Sequence, residues 1–390
     1  MRTLAIGDLH LSSHTPAAVE RDAAALVAAS PGTRIVFVGD LFDLSAETPR
    51  VASERAIEEG FAKSPLLRRA FAEHLERGGE LRFVAGNHDP ELGSDGARAR
   101  IAAALGVAPA LQSQIGTTPW FWREGALHVE HGHLYDPDNA PAHPLVAPRG
   151  ALGVHFVEEF IAPTGAFAYL NANDGTPLET FLSAFKLYGL RGPYVVYRYF
   201  HAAALALLKS GPGFPGIEER SRGEALLDAF LTEANADREL AAALLAIGAE
   251  PTMASLRTTV ARLYLDRVGG TIAVTSGLGL AATGRLRAGA ALAGIGALAL
   301  ATSWSLGHDR YGGHVHARLS DAAQKLADAT DAKLVVFGHA HVAGEHATYA
   351  NTGSFAFPRG EPGRPYVEIT GSPSHPRAER RFFHGSAAKP

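Results

Sequence analysis

Five short stretches of this 390-residue chain carry side chains suited to holding cations. They are Gly7-Asp8-Leu9-His10, Gly39-Asp40-Leu41-Phe42-Asp43, Gly86-Asn87-His88-Asp89, His131-Gly132-His133 and Gly338-His339-Ala340-His341. Their carboxylate and amide oxygens, mixed with imidazoles, suit Mn, Fe or Zn better than a thiolate-selecting metal. The set is large enough for two divalent ions that share a bridging carboxylate. Such a pair activates water and stabilises an in-line displacement at phosphorus.

Each stretch follows a run of apolar, largely β-branched residues. The runs at 2–6, 34–38, 81–85, 126–130 and 334–337 predict buried strands, whose ends can bring Asp, His and Asn to one sheet edge. Residues 16–29 place Val19, Leu26 and Val27 on one face of a helix. Residues 51–77 place Ile57, Phe61, Leu67, Phe71 and Leu75 at helical spacings. Strand, helix, strand is the pattern of crossover units. Further strands are expected at 348–351 and 366–369, so the expected architecture is a layered β-sandwich with flanking helices.

The length exceeds what one compact core usually holds, so a second structural unit is expected. Net charge of −4 and a pI near 6.5 leave no basic footprint and argue against a nucleic-acid partner. There is no cysteine, which excludes disulfides, zinc-thiolate sites and a thiol nucleophile. The chain enters its first strand and a candidate ligand within eight residues of Met1, so no cleavable signal peptide is expected and the catalytic part is expected in the cytoplasm.

Four prolines in 136–150 break the pattern, and strands flanking candidate ligands resume only at 331. The expected division is a catalytic domain at 1–145 and 331–390, interrupted by a helical insertion at 146–330. Helices are predicted there at 151–161, 178–188, 194–209, 223–236, 239–247 and 253–268. Long insertions between ligand strands commonly form lids that set substrate choice. Within 269–307 only Arg285 and Arg287 are charged. This apolar hairpin either covers the insertion's own core or dips into or crosses a membrane, the inner membrane if the chain is cytoplasmic. A full crossing from a cytoplasmic domain places Arg285 and Arg287 outside, against the positive-inside tendency, which a re-entrant or interfacial hairpin avoids.

Taken in order, Gly-Asp-x-His, Gly-Asp-x-x-Asp, Gly-Asn-His-Asp, His-Gly-His and Gly-His-x-His resemble the calcineurin-like metallophosphoesterase superfamily, over about residues 1–140 and 330–370. The resemblance implies an α/β fold, a four-layer αββα sandwich. It implies a first metal on Asp8, His10 and His341, a second on Asn87, His131 and His339, and Asp40 between them. It further implies hydrolysis of a phosphate ester or pyrophosphate by metal-activated hydroxide. His88 is the expected general acid or phosphate-oxygen donor, with Asp89 orienting its ring.

Asp43 is expected either beside the ligands or as a helix cap, and His133 either faces substrate or satisfies local backbone. Asp136, Asp138 and Asn139 either line the pocket or form turns around Pro137. The turn Asn351-Thr352-Gly353-Ser354 is expected to support the site. His14, His74, His143, His155, His201, His308, His314, His316 and His346 are expected to be solvated or satisfied by neighbours.

The expected substrate is a phosphorylated small molecule or lipid. Asp8-Leu9-His10-Leu11 and Gly39-Asp40-Leu41-Phe42-Asp43 look like the UDP-2,3-diacylglucosamine pyrophosphatases of lipid A synthesis, which use a helical lid for acyl chains. Many of those enzymes carry Arg where this chain has His88, and their lids are smaller. A catalytically silent metal-binding scaffold is the non-enzymatic alternative, against which stand the intact ligand positions and His88.

Overall fold

The computed structural model describes the chain apart from Met1, Thr48, Arg50, Arg149 and residues 167–176, 307–313 and 386–390. It divides into two compact units. Unit 1 comprises Met1–Asn171, Pro215–Pro251 and Val315–Pro390; unit 2 comprises Ala172–Phe214 and Thr252–His314.

Unit 1 contains two sheets. Its strands are β1 (Thr3–Ile6), β2 (Arg34–Val38), β3 (Glu80–Val84), β4 (Ile115–Thr118), β5 (Phe121–Glu124), β6 (Leu127–Glu130), β7 (Leu334–Phe337), β8 (Gly344–His346), β9 (Tyr349–Asn351), β10 (Arg364–Ser372) and β11 (His375–Phe383). The six-stranded sheet runs β11-β10-β1-β2-β3-β4 and the five-stranded sheet β5-β6-β7-β9-β8. Strands β1 to β4 pair in parallel, as do β6, β7 and β9.

The period-2 alternation of the strands builds the layers. Ala5, Val36, Val38 and Val84 of the first sheet meet Leu127, Val129, Leu334 and Val336 of the second in one dry core. On the opposite face of the first sheet, Leu4, Ile6, Phe37 and Phe83 pack under the helices Ala17–Ala28, Ala56–Lys63, Pro65–Glu76 and Ala97–Leu105. On the opposite face of the second, Phe121, Val335, Phe337 and Tyr349 pack under Gly216–Ala234, Arg238–Ile247 and Val315–Thr330. Helix, sheet, sheet, helix is the expected αββα sandwich.

The helical spacings in residues 51–77 are realised as two helices, Ala56–Lys63 and Pro65–Glu76, divided because Pro65 offers no N–H and moves Ser64 out of helical geometry (φ −121°, ψ 62°). Two details depart from expectation. The predicted helix at 253–268 is cut at Tyr264, whose φ of +52° ends one helix and starts Leu265–Ala282. The helices at 216–247, which fall in the stretch expected as an insertion, belong to unit 1, since Phe230, Leu231 and Leu244 join the second sheet's outer core.

Unit 2 is helical. It contains Pro177–Tyr188, Gly192–Leu208, Leu256–Arg262, Leu265–Ala282 and Leu286–Ser305. Buried Ser210 and Thr259 exchange a hydroxyl hydrogen bond at 2.9 Å within it.

Candidate metal centre

The strand ends place the predicted side chains together. Asp8 and His10 follow β1, Asp40 follows β2, Asn87 and His88 follow β3, His131 follows β6, and His339 and His341 follow β7. Three overlapping groups result: Asp8, His10 and His341; His10, Asp40 and His88; and Asp40, His131 and His339. In each, one donor atom per residue lies within 4.8 Å of the others. Asp40 belongs to two of the groups and touches both sides, with Oδ2 3.2 Å from His131 Nε2 and 3.8 Å from His10 Nε2.

The backbone is held in an uncommon conformation to achieve this. Asp8, His10, Asp40, His339 and His341 all have φ between 45° and 63°, and only three other described non-glycine residues have positive φ. Such geometry costs about 1 kcal/mol or more per residue and concentrates at functional sites. The glycine that opens four of the five motifs leaves the room required. A Cβ on Gly86 would come within 2.1 Å of Asp40 Oδ1, and one on Gly39 within 2.3 Å of His131 Nδ1.

Hydrogen bonds then fix the donors. Asp8 Oδ2 accepts from the His339 backbone N–H at 3.0 Å, and Asp40 Oδ1 from that of His88 at 2.9 Å. His131 Nδ1 meets the Val38 carbonyl at 2.8 Å, so Nε2 is turned toward Asp40 and toward Asn87 Oδ1, 3.1 Å away. His339 Nε2 lies 2.9 Å from Asp136 Oδ2, which also accepts the Asn139 amide at 2.7 Å. Asn139 Oδ1 in turn accepts from Asn87 at 3.3 Å. Asp136 and Asn139, expected as pocket liners or turn formers, thus orient two candidate ligands. The supporting turn is also in place: Asn351 donates to the Gly338 carbonyl at 2.7 Å and Ser354 to that of Asp8 at 3.1 Å.

These contacts fit cations better than they fit one another. Asp8 Oδ1 is buried without a hydrogen-bond partner, with His341 Nε2 3.1 Å away. The Nε2 atoms of His10 and His341 face each other at 3.0 Å, where neutral rings can share at most one proton. Buried donors and acceptors normally find partners, and a divalent ion held by Asp8, His10 and His341 would supply one to Asp8 Oδ1.

The His88 ring is oriented by Asp43 and Ser45, not by Asp89 as expected. Its Nδ1 meets Asp43 Oδ1 at 3.0 Å and Ser45 Oγ at 2.8 Å, and Ser45 donates to Asp43 at 2.7 Å. Asp89 does not touch the ring. Its carboxylate accepts the backbone N–H groups of Asp40, Leu41, Phe42 and Gly86 at 2.7–3.2 Å, clamping the β2 and β3 loops together. The geometric reason is that Asp89 turns back under the loop, whereas Asp43 faces it from the next strand end. Asp43 also caps the turn Leu44–Ala46 through Ala46 N, so both of its expected roles hold at once. Ser45 carried no motif signal; only its position two residues after Asp43 could have pointed to it.

The electrostatics follow from burial and crowding. Burial drives the His10 imidazolium down, the neighbouring imidazoles assist, and the value falls to about 4 despite Asp40. Burial also opposes charge on His88 and His131, but carboxylates outweigh it: Asp43 and Asp40 raise His88 to about 10, and Asp40 raises His131 to about 9. Burial and then the Asp40 charge push Asp89 up to about 7. Bound cations act against the raised histidine values. His88 alone among the candidates keeps partial exposure, at a cleft bounded by Leu44, Ser45, Pro90, Pro148 and Val154. His133 is buried with its ring 5.4 Å from that of His131 and its Nδ1 without a hydrogen bond.

Clustered histidines and aspartates at the strand ends of a two-sheet αββα sandwich place the molecule among metal-dependent phosphoesterases. The sequence profile of the calcineurin-like phosphoesterases matches residues 1–209, more than half of the chain. The chain belongs to that family. No curated protein matches it.

Proposed function

We propose that this protein hydrolyses phosphate esters or pyrophosphates at a site for two divalent ions. Asp8, His10 and His341 would hold the first, and Asn87, His131 and His339 the second. The observation that carries the proposal is Asp40, one carboxylate facing a histidine from each group. When bound, such ions supply Lewis acidity toward a phosphoryl oxygen and a water of lowered pKa.

The residues of the chain do the rest. Asp43 and Ser45 occupy His88 Nδ1 and leave Nε2 to meet substrate. A proton passes from Nε2 to the departing oxygen as the P–O bond breaks, and Asp43 stabilises the imidazolium before that transfer. Asp89 holds the loops that set the spacing of Asp40 and His88. Asp136 and Asn139 fix the rings and amide beyond them.

Asp43 is therefore a positioning residue. Asp43→Ala should lower kcat by about 10–100-fold, the range for partners that orient a working imidazole, with KM nearly unchanged. A loss appearing only as weaker metal binding would instead assign Asp43 to His10, whose Nδ1 lies 3.8 Å away. Metal should also stabilise the fold. Mn at a hundred times its Kd should raise the melting temperature by about 5 °C or more, and chelator should reverse it. An unchanged melting temperature would argue against a preformed site.

A second reading, cleavage of the pyrophosphate in a lipid-linked nucleotide such as UDP-2,3-diacylglucosamine, is favoured by the exposed apolar side chains of unit 2. Turnover of that compound, a chromogenic phosphodiester and a phosphomonoester should be compared in Mn. Strong preference for the lipid selects the second reading; turnover of the generic esters alone eliminates it.

A further inference from the structure

Unit 2 contains a helical hairpin that is built inside out for water. Leu265–Ala282 and Leu286–Ser305 pack against each other, and the residues buried in their seam are Gly270, Gly277, Gly289, Gly296 and Ser303. The backbones touch directly. A Cβ on Gly277 would lie 2.5 Å from Ala293 N, and one on Gly289 2.5 Å from Ala281 N. The large apolar side chains point the other way: Ile272, Leu278, Ile295 and Leu298 are each 59–69% exposed in the whole chain. A water-soluble hairpin would bury those side chains and show charge. Among the described residues, the other large exposed apolar side chains also concentrate in unit 2, with only Leu66, Ile217, Leu226 and Val342 outside it.

We infer that this hairpin spans a lipid bilayer as two antiparallel helices, with the Arg285–Arg287 turn at the far interface. Length supports it. Residues 268–284 and 288–306 carry no charge, and at 1.5 Å per residue these runs extend about 26 Å and about 28 Å, close to a hydrocarbon core of about 30 Å. An 18-residue window of Leu286–Ser305 has a mean hydropathy of 1.4, and 17% of that window is buried. Polar groups within the runs are satisfied locally, as a bilayer requires. Thr271, Thr275 and Thr302 each donate to the carbonyl four residues earlier, at 2.8, 3.0 and 2.9 Å.

The ends carry the charge and the aromatic rings. At the base, the Arg267 guanidinium sits 4.6 Å from the Tyr264 ring and 4.9 Å from the Trp304 ring, and donates to Ser303 Oγ at 3.0 Å. Aromatic rings paired with arginine are characteristic of the interfacial layer. Close seams of small residues are how helices associate in lipid, where apolar side chains gain nothing by facing each other. A helix lying in the interface needs a charged face, and neither run has a charged residue to supply one.

The absence of cysteine from the sequence makes topology directly measurable. Thr283→Cys marks the tip and Ser305→Cys the base in the full-length chain. Each is expressed in a bacterial host and probed with a membrane-impermeant maleimide in spheroplasts and in inside-out vesicles. The expected result is labelling of the two positions from opposite faces, with both variants resisting extraction by alkaline carbonate. Labelling from the same face would overturn the spanning arrangement, and release by carbonate would overturn insertion altogether. Leu298→Asp supplies an independent readout. A charge at that depth should move the protein to the carbonate-soluble fraction while the metal-loaded site still turns over a soluble phosphodiester. An unchanged membrane fraction would also contradict the inference.

Discussion

Asp40→Ala should reduce Mn-supported hydrolysis of a chromogenic phosphodiester by about a thousandfold or more, because a ligand shared by two ions is worth several kcal/mol in the transition state. The carboxylate is buried, faces histidines on both sides and accepts the His88 backbone N–H. Asp40→Asn separates these contributions. The amide oxygen can still accept from His88 N, so a purely structural role predicts near-normal activity, whereas a bridging role predicts a loss close to that of alanine. Metal content should fall together with turnover. A variant of either kind that retained full activity and two bound ions would remove Asp40 from the centre of the mechanism.

His88→Gln should cost about 10²–10⁴-fold in kcat with metal content intact, the usual worth of a positioned general acid. The loss should depend on the leaving group. An alkoxide needs the proton and should suffer the full effect; a nitrophenolate departs nearly unaided and should suffer little. Equal losses for both would assign His88 to phosphate binding instead. The partners found here sharpen the expectation, since Asp43 and Ser45 both engage Nδ1 and leave only Nε2 for substrate. Asp43→Ala should reproduce the leaving-group trend in weaker form.

Much of this was legible in the sequence for a physical reason. Parallel strands buried on both faces are short apolar runs, and their carboxyl ends are abrupt, so Ile6, Val38, Val84, Glu130 and Phe337 mark where the candidate ligands begin. Glycines at 39 and 86 advertise positions where no side chain fits. What stayed hidden depends on the path of the chain between strands. Asp89 and Asp43 are both acidic residues beside a motif, and only the fold shows that the first turns back onto backbone N–H groups while the second meets the imidazole. Strand β11 is not legible as an apolar run because its alternation is charged (Arg377, Glu379, Arg381), which suits the exposed edge of a sheet. Helix Val315–Thr330 is faint in the sequence because three of its five buried positions are alanines and only Leu319 and Leu326 are large. The hairpin was legible as uncharged but not as inverted, since composition does not reveal which side of a helix its glycines occupy.

The most direct test is anomalous scattering from crystals of the protein grown in Mn, recorded at the Mn absorption edge. Two peaks are predicted, both within coordination distance of Asp40, one bounded by Asp8, His10 and His341 and the other by Asn87, His131 and His339. A single peak, or a pair that leaves Asp40 uncoordinated, would contradict the two-ion site.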